Sequence, residues 1–231
     1  MTTSSAMSRT TGTTDVRIGA FFDVDNTLIP GAAIEVRFFR FLWRQRVVGL
    51  REARQSVWHL LRRMPPVSLQ ALRERKLYLA GKHAVTIESL AEAFVRNIIC
   101  PGLSAKGLAT IRRHREAGHR LVFITGSMDF LVTPLASHLG VDAVLAGRPE
   151  RQAGVYTGHL IPPYPYGEGK RILVKSFAKE HGLSLFHSFA YGDSPGDVEA
   201  LRLVGNPLVV NPIRGMAKIA RENGWRIENW K

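Results

Sequence analysis

The spacing of apolar residues changes along the chain and separates two kinds of region. The segment VRIGAFFDVD is an almost unbroken apolar run, typical of a buried strand, and it ends in two aspartates shortly before a Pro-Gly break. From Ile34 to about Ile99, apolar residues recur every three or four positions, which predicts helices. The prolines of RRMPPVS interrupt this helical region in the middle.

Beyond residue 100 the pattern alternates between helices and strands. The predicted helices are SAKGLATIRRHREAGHR, DFLVTPLASHLG, EGKRILVKSFAKEHG, SPGDVEALRLVG and GMAKIARENG. The predicted strands are LVFITG, VDAVLAG, LFHSFAYGD and NPLVVN, and VYTGHLIPPYPYG is predicted as a hairpin or an irregular loop. Such alternation is typical of an α/β fold with a parallel sheet and helices on both faces.

These patterns divide the chain into three parts. Residues 1–15, rich in Ser, Thr and Gly, are predicted to be a flexible tail. Residues 16–30 and 101–231 are predicted to form the α/β core. Residues 31–100 are predicted to form an all-helical cap inserted between the first and second core strands.

Composition supports a folded core and a strongly basic surface. The 231 residues are 45% apolar, and the net charge is +13. The predicted cap holds thirteen Lys and Arg against five Asp and Glu, an excess that attracts anions. The single cysteine excludes an internal disulfide and fits a reducing cytosol. Without an apolar window long enough to span a bilayer, the expected location is cytoplasmic, with peripheral membrane contact left open.

The predicted cap also carries many aromatic residues among its arginines. VRFFRFLWRQRVVGLREARQSVWHLLRRM includes Phe38, Phe39, Phe41, Trp43 and Trp58. The simplest interpretation is that the aromatics form the core of the cap while the arginines face water. Weak contact with an anionic membrane surface, or with an acidic carrier protein, are the alternatives. No zinc finger, RNP or helix-turn-helix signature is present, so specific binding of nucleic acid is not expected.

Polar residues that could take part in catalysis or metal binding follow the predicted strands or begin the helices after them. They are Asp23, Asp25, Thr125, Lys170, Asp193 and Asp197. Because ligands of parallel sheets bind beyond the carboxyl ends of the strands, these side chains are expected to meet at one edge. Adjacent carboxylates are costly unless a cation compensates them, which a divalent metal and Lys170 would do.

The residue types predict phosphoryl transfer. Asp23 could attack phosphorus and form an aspartyl-phosphate, and Asp25 could serve as general acid and then as base for water. Thr125 and nearby backbone amides, including that of Gly126, could bind phosphoryl oxygens, with Ser127 as the alternative to Thr125. Lys170 could neutralise phosphoryl charge. The carboxylates suit Mg²⁺, with Asp197 as a ligand or a support for one.

DVDNT, the Thr of FITGS, the Lys of GEGK and GDSPGD resemble, in order and approximate spacing, the four motifs of the haloacid dehalogenase (HAD) superfamily. The helical insert is similar to the cap of subfamily IB, the phosphoserine-phosphatase-like group. This resemblance implies a Rossmann-like core with a helical cap and Mg²⁺-dependent hydrolysis of phosphomonoesters. The implied metal ligands are Asp23, the backbone carbonyl of Asp25, and Asp193.

The resemblance is incomplete at the residues that would bind the substrate. Phosphoserine phosphatases of this subfamily carry a glutamate where this chain has Ala32, and Glu35 is expected to point elsewhere. Arg75 matches the arginine that meets the substrate carboxylate in that group. We therefore expect a small-metabolite or lipid-type phosphate monoester rather than phosphoserine. A phosphotransferase or mutase using the same aspartyl-phosphate, and a basic-surface binding protein with a vestigial site, are the alternatives.

Overall fold

The computed structural model describes residues 16–49 and 75–231, which form a sheet with helices packed against it. The strands are Gly19–Phe22 (β1), Arg120–Met128 (β2), Ala143–Gln152 (β3), Val155–Ile161 (β4), Phe189–Gly192 (β5), Asn206–Val210 (β6) and Arg226–Glu228 (β7). The α-helices are Ile34–Arg44 (α1), Ala84–Phe94 (α2), Ala105–Glu116 (α3), Asp129–Leu139 (α4), Glu168–His181 (α5), Val198–Leu201 (α6) and Met216–Glu222 (α7).

The sheet has seven strands in the order β4-β3-β2-β1-β5-β6-β7. All neighbours are parallel except β3 and β4. The predicted α/β class is thereby confirmed, and the all-apolar β1 occupies the centre because it is buried on both faces.

The register of the central strands brings their carboxyl ends together. Phe22, the last residue of β1, pairs with Phe123 of β2 on one side and Tyr191 of β5 on the other. The next backbone amide, that of Asp23, donates a hydrogen bond of 2.8 Å to the Tyr191 carbonyl oxygen. The residues that follow β1 and β5 therefore emerge side by side.

Several elements differ from the sequence-based expectation. The strand β2 runs past Thr125 to Met128, with a register shift between Ile124 and Met128. The expected hairpin or loop is the antiparallel pair β3–β4. The helix expected after Asp193 is a 3₁₀ turn, Pro195–Asp197, followed by the short α6. The three-residue β7 was not predicted, because so short an edge strand has no detectable period.

The longer regular elements described between β1 and β2 are helices. They include α1, a 3₁₀ turn at Leu77–Leu79, α2 and its continuation as a π-helix at Val95–Ile99. Phe38 of α1 packs on Phe94 of α2 and Phe130 of α4, with ring centroids 5.2 and 5.9 Å apart. Residues 50–74 lie outside the described part of the chain, so a separate cap at 31–100 stays a prediction.

Helix α1 follows the simpler interpretation of the basic aromatic segment only in part, because one of its aromatic residues is exposed. Phe38 is buried, whereas Arg40 and Arg44 are exposed and Trp43 is 41% exposed. Trp58 and the arginines from 51 to 63 lie outside the described residues, as does the predicted tail at 1–15. Among the helices of residues 16–49 and 75–231, none has the length and apolar character that crossing a membrane requires.

Candidate active site

Lys170, in the first turn of α5, lies at the centre of the polar cluster at the ends of β1, β2 and β5. Its side chain is 3% exposed, and its Nζ donates to Asp23 Oδ1 at 2.7 Å, to Asp197 Oδ1 at 2.5 Å and to the Ile124 carbonyl oxygen at 2.8 Å. An ammonium group has three donors, and all three are used. Lys170 thus links the ends of three strands.

The start of α5 depends on a close backbone approach. A Cβ on Gly169 would lie 1.7 Å from the Tyr164 carbonyl oxygen, so only glycine fits there. Gly167, just before the helix, has a positive φ of 53°. These glycines allow the YPYG segment to pass beside α5 and deliver Lys170 to the strand ends.

Asp25 is held at both carboxylate oxygens. The backbone amide of Ile34, the first residue of α1, donates to Oδ1 at 2.6 Å. The hydroxyl of Ser127 donates to Oδ2, also at 2.6 Å. The loop after β1 therefore presents Asp25 between the start of a helix and the end of β2.

Asp193 and Asp197 are both buried but differ in their hydrogen bonds. Asp197 Oδ2 accepts from the amide and hydroxyl of Ser194 at 3.0 and 2.9 Å, and Oδ1 accepts from Lys170. Asp193 Oδ2 accepts from Asn26 Nδ2 at 2.8 Å. Within the described residues, no hydrogen bond reaches Asp193 Oδ1. Asp197 is thus occupied by protein donors, while Asp193 keeps one free oxygen.

The electrostatics of the cluster follow from burial. Burial raises the pKa of Asp23 well above its usual range, against the opposing charge of Lys170. Burial also raises the pKa of Asp25, and it raises that of Asp193 to about 6 although the Asn26 hydrogen bond opposes this. Burial by itself would lower the Lys170 pKa, but the charges of Asp197 and Asp23 raise it above the usual value.

The donor set fits a hard divalent cation. One oxygen each from Asp23, Asp193 and Asp197 lies within 4.8 Å of the other two, and all three residues are buried. Lys170 forms ion pairs with Asp23 and Asp197, and within the described residues no ion pair reaches Asp193, so negative charge remains uncompensated. Oxygen ligands with excess negative charge suit Mg²⁺.

A cavity of about 630 Å³ opens over this cluster. Thr125, Gly126 and Ser127 of β2 line it together with the aspartates. Thr125 is 1% exposed, and its Oγ1 accepts from the Ser127 amide at 3.2 Å. Thr125 and Gly126 therefore line the same cavity as Asp23, and their role in binding phosphoryl oxygens stays a prediction.

Glu35 corrects one expectation. It was expected to point away from the site, yet it lines the cavity, because the first turn of α1 begins directly beside Asp25. Its carboxylate accepts from Lys76 Nζ at 2.7 Å and from the Tyr78 hydroxyl at 3.2 Å. Lys76 lines the same cavity, whereas Arg75 is not among the lining residues and pairs its backbone with His159 of β4. A substrate-binding role for Arg75 stays a prediction.

Two asparagines of the cluster were not predicted from the sequence. They are Asn26, in the loop after β1, and Asn211, which directly follows β6. Both have a positive φ, 55° and 46°, which asparagine tolerates better than other residues with a side chain. An Asn that directly follows a predicted strand was the available signal.

Comparison with known proteins identifies the family. The haloacid dehalogenase-like hydrolase family matches residues 20–202. Phosphoserine phosphatase SerB1 of Mycobacterium tuberculosis is 32% identical over 225 residues, covering 94% of this chain and 72% of that protein. The histidinol-phosphatase of Neisseria meningitidis serogroup C is 29% identical over 219 residues, covering 92% and 98%. A solved structure of unknown function from Bordetella pertussis Tohama I is 29% identical with a TM-score of 0.80, covering 94% and 100%.

The parallel sheet, the polar cluster at its carboxyl edge and the family match agree. The chain belongs to the haloacid dehalogenase-like hydrolase family. The expectation that it is a phosphatase-type enzyme of this family is confirmed.

Proposed function

We propose that this enzyme hydrolyses a phosphate monoester through an aspartyl-phosphate on Asp23, with Asp25 as general acid and base. The supporting observation is the different treatment of the two carboxylates. Asp23 is held by Lys170 through Oδ1, and no hydrogen bond within the described residues reaches its Oδ2. Asp25 is fixed by two donors, and burial raises its pKa. This difference supports Asp23 as the nucleophile and Asp25 as the proton donor.

In the first half-reaction, Asp23 Oδ2 attacks phosphorus as the bond to the leaving oxygen breaks. Protonated Asp25 gives its proton to that oxygen, and the alcohol departs. In the second half-reaction, Asp25 takes a proton from water, whose oxygen attacks phosphorus and releases Asp23 and phosphate. The positive charge of Lys170 opposes the phosphoryl charge in both steps, and the Thr125 hydroxyl and the Gly126 amide donate to the phosphoryl oxygens.

Mg²⁺ is the proposed cofactor, held by Asp23, the backbone carbonyl of Asp25 and Asp193, with Asp197 supporting Asp193 and Lys170. When bound, it neutralises phosphoryl charge and offsets the repulsion between the buried carboxylates and an anionic substrate. Asp197 serves best as a support because its oxygens already accept hydrogen bonds from Lys170 and Ser194.

The proposed substrate is a small-metabolite or lipid-type phosphate monoester. A cavity of about 630 Å³ has the size of small-molecule sites. Beyond the phosphate position its wall carries the Glu35–Lys76 ion pair, which the alcohol part of the substrate would meet. Ala32 supplies no carboxylate, which argues against phosphoserine, but Glu35 brings one into the cavity. Phosphoserine is therefore included in the test below.

The test is phosphate release from a panel of phosphoserine, histidinol phosphate, sugar phosphates and lysophosphatidic acid, with Mg²⁺ and with EDTA. Mg²⁺-dependent release from one compound well above the others supports the proposal and identifies the substrate class. Release unaffected by EDTA contradicts the metal assignment. A folded protein inactive on every compound, but active once an alcohol acceptor is added, is a phosphotransferase or mutase.

Asp23→Asn tests the nucleophile directly. We expect turnover to fall by at least about 10³-fold, because the amide cannot form the covalent intermediate. Asp129→Asn, which changes a partly buried aspartate outside this cavity, serves as the matched control and should leave turnover unchanged. Appreciable phosphate release by a folded Asp23→Asn protein would show that another group is the nucleophile.

Contact of the basic surface with an anionic membrane or an acidic carrier protein stays a prediction. About half of the basic aromatic segment lies outside the described residues, and in α1 Phe38 is buried whereas Trp43 is exposed. Co-sedimentation with anionic vesicles in dilute buffer, with neutral vesicles as the control, tests the membrane alternative.

A further inference from the structure

We propose that Asn26 and Asn211 are positioning residues that orient Asp193 toward the cation and tie it to the segment after β7. This inference rests on the proposed function, because it concerns the same cation site. Its basis is a closed set of hydrogen bonds between side-chain amides and backbone groups that are far apart in the sequence.

Asn26 contributes both hydrogens of its amide. Nδ2 donates to Asp193 Oδ2 at 2.8 Å and to the Asn211 carbonyl oxygen at 3.0 Å. Asn26 is only 8% exposed, so these donors have little access to water. The bond to Asp193 therefore replaces solvent as the partner of one carboxylate oxygen.

Asn211 in turn donates a hydrogen bond to the backbone of Asn26. Its Nδ2 donates to the Asn26 carbonyl oxygen at 2.7 Å, so each asparagine holds the other's backbone. Its Oδ1 accepts from the Trp230 backbone amide at 2.8 Å. Asn211 thus joins the loop after β1 to the residues after β7.

Trp230 is itself anchored on two sides. Its carbonyl oxygen accepts from the Ser104 hydroxyl at 2.5 Å, at the N-terminus of α3. Its ring packs on Tyr191 of β5 with centroids 5.4 Å apart, and the residue is 3% exposed. Through Trp230, the two asparagines are connected to the N-terminus of α3 and to β5.

Asparagine meets two demands at once in these positions. The left-handed backbone at Asn26 and Asn211 favours Gly, Asn or Asp. Of these, Gly has no side chain, and Asp would place an acceptor opposite a carboxylate or a carbonyl oxygen. Only Asn keeps the backbone and also supplies donors.

These hydrogen bonds determine which carboxylate oxygen of Asp193 faces the cation site. With Oδ2 engaged by Asn26, the carboxylate is held with Oδ1 left for the cation, in the group it forms with Asp23 and Asp197. Partners of this kind, which hold a metal ligand in place, commonly affect metal affinity by 10- to 100-fold.

The test is Mg²⁺ binding to the folded, substrate-free protein by isothermal titration calorimetry, together with thermal unfolding in EDTA. Glycine substitutions remove the amide but keep the positive φ. We expect Asn26→Gly and Asn211→Gly to weaken Mg²⁺ binding about 10- to 100-fold. We also expect the double variant to bind no more weakly than Asn26→Gly, because Asn211 acts through Asn26.

Asn223→Gly is the matched control, since it loses an amide hydrogen bond to Ile219 at the end of α7 and should keep the Mg²⁺ affinity of the wild type. Lower thermal stability with unchanged Mg²⁺ affinity in both single variants would overturn the inference. Asn211→Gly alone decides the matter if Asn26→Gly does not fold. A wild-type protein that binds no Mg²⁺ would overturn the metal assignment as well, so the two failures are distinguishable.

Discussion

Single residues of the cluster are distinguished by which of their atoms already have partners. Lys170 has all three donors engaged, Asp197 accepts bonds at both oxygens, and Asp23 and Asp193 each keep one oxygen without a described partner. Asp23 and Asp193 both line the cavity, so an oxygen without a protein partner lies where a ligand can reach it. The arrangement of donors thus separates Asp23 and Asp193, which each keep one oxygen open, from Asp197, whose oxygens both have partners.

At the same scale, Ser127 is expected to matter through Asp25. Ser127→Ala removes the hydroxyl that donates to Asp25 Oδ2, which leaves Asp25, the proposed general acid, held by the Ile34 amide alone. We expect kcat to fall about 10- to 100-fold with KM nearly unchanged, because orientation of the acid is lost while the phosphate contacts remain. Steady-state phosphate release measures both constants.

Ser89→Ala, on the exposed face of α2, is the control for this prediction and should leave kcat and KM unchanged. A Ser127→Ala enzyme with the kcat of the wild type would mean that Ile34 alone suffices to orient Asp25.

At the scale of elements, the approach of the YPYG segment to α5 determines where Lys170 lies. A Cβ at Gly169 would collide with a backbone oxygen, which cannot rotate away as a side chain can. Tyr164 and Tyr166 of that segment line the cavity, and the Gly167 amide donates to the Gly196 carbonyl oxygen at 2.9 Å. The YPYG segment thus contacts the start of α5, forms part of the cavity wall and is hydrogen-bonded to the turn after β5.

Gly169→Ala is therefore expected to lower the free energy of unfolding by about 1–3 kcal/mol and to reduce kcat, since the segment or α5 must shift. Chemical denaturation and phosphate release measure the two effects. Gly102→Ala is the matched control, because no atom lies within 4 Å of the added Cβ and φ is not positive there. Equal stability of the two variants would contradict the proposed packing constraint.

At the scale of the whole molecule, a buried histidine behind the central strands makes stability depend on pH. His114 of α3 is 2% exposed and contacts the Tyr191 hydroxyl through Nε2 at 2.6 Å and His119 Nδ1 through its own Nδ1 at 2.7 Å. Burial, followed by the neighbouring His119 and Arg113, lowers the pKa of His114 to about 4. The folded protein therefore resists charging this ring.

In the unfolded chain a histidine titrates near pH 6.5, so between about pH 6.5 and 4 the unfolded state binds a proton that the folded state does not. The contribution of His114 to stability is thus present above this window and is lost as pH falls through it. Asp193, whose pKa is raised to about 6, works in the opposite direction, because its folded form takes up a proton first.

A comparison of variants separates the contribution of His114 from the opposing contribution of Asp193. Between pH 7 and 4.5, we expect His114→Asn to lose less unfolding free energy than the wild type, as measured by urea denaturation. The exposed His138→Asn should follow the wild type. Identical pH dependence of His114→Asn and the wild type would show that the ring is not held neutral.

Prediction from the sequence succeeded where the determining interactions are local. The period of apolar residues identified β1, α3, α4 and α5, because each period reflects one face of one element. The order of Asp23, Thr125 and Asp193 after predicted strands, with Lys170 at the start of a predicted helix, was sufficient to predict one polar cluster. Parallel strands necessarily bring those ends to one edge. The α/β class and the membership of the family were thus determined by the sequence alone.

Only the tertiary structure decided which partners meet across long separations in the chain. Ser127 reaches Asp25 from 102 positions away, and Asn211 meets Asn26 from 185 positions away. The direction of Glu35 depended on where α1 begins relative to Asp25, which no periodicity defines. Hydrogen bonds of this kind depend on distances and angles that exist only after the sheet has assembled. The sequence therefore determined which chemical groups are present, and the fold determined which of their atoms remain free to act.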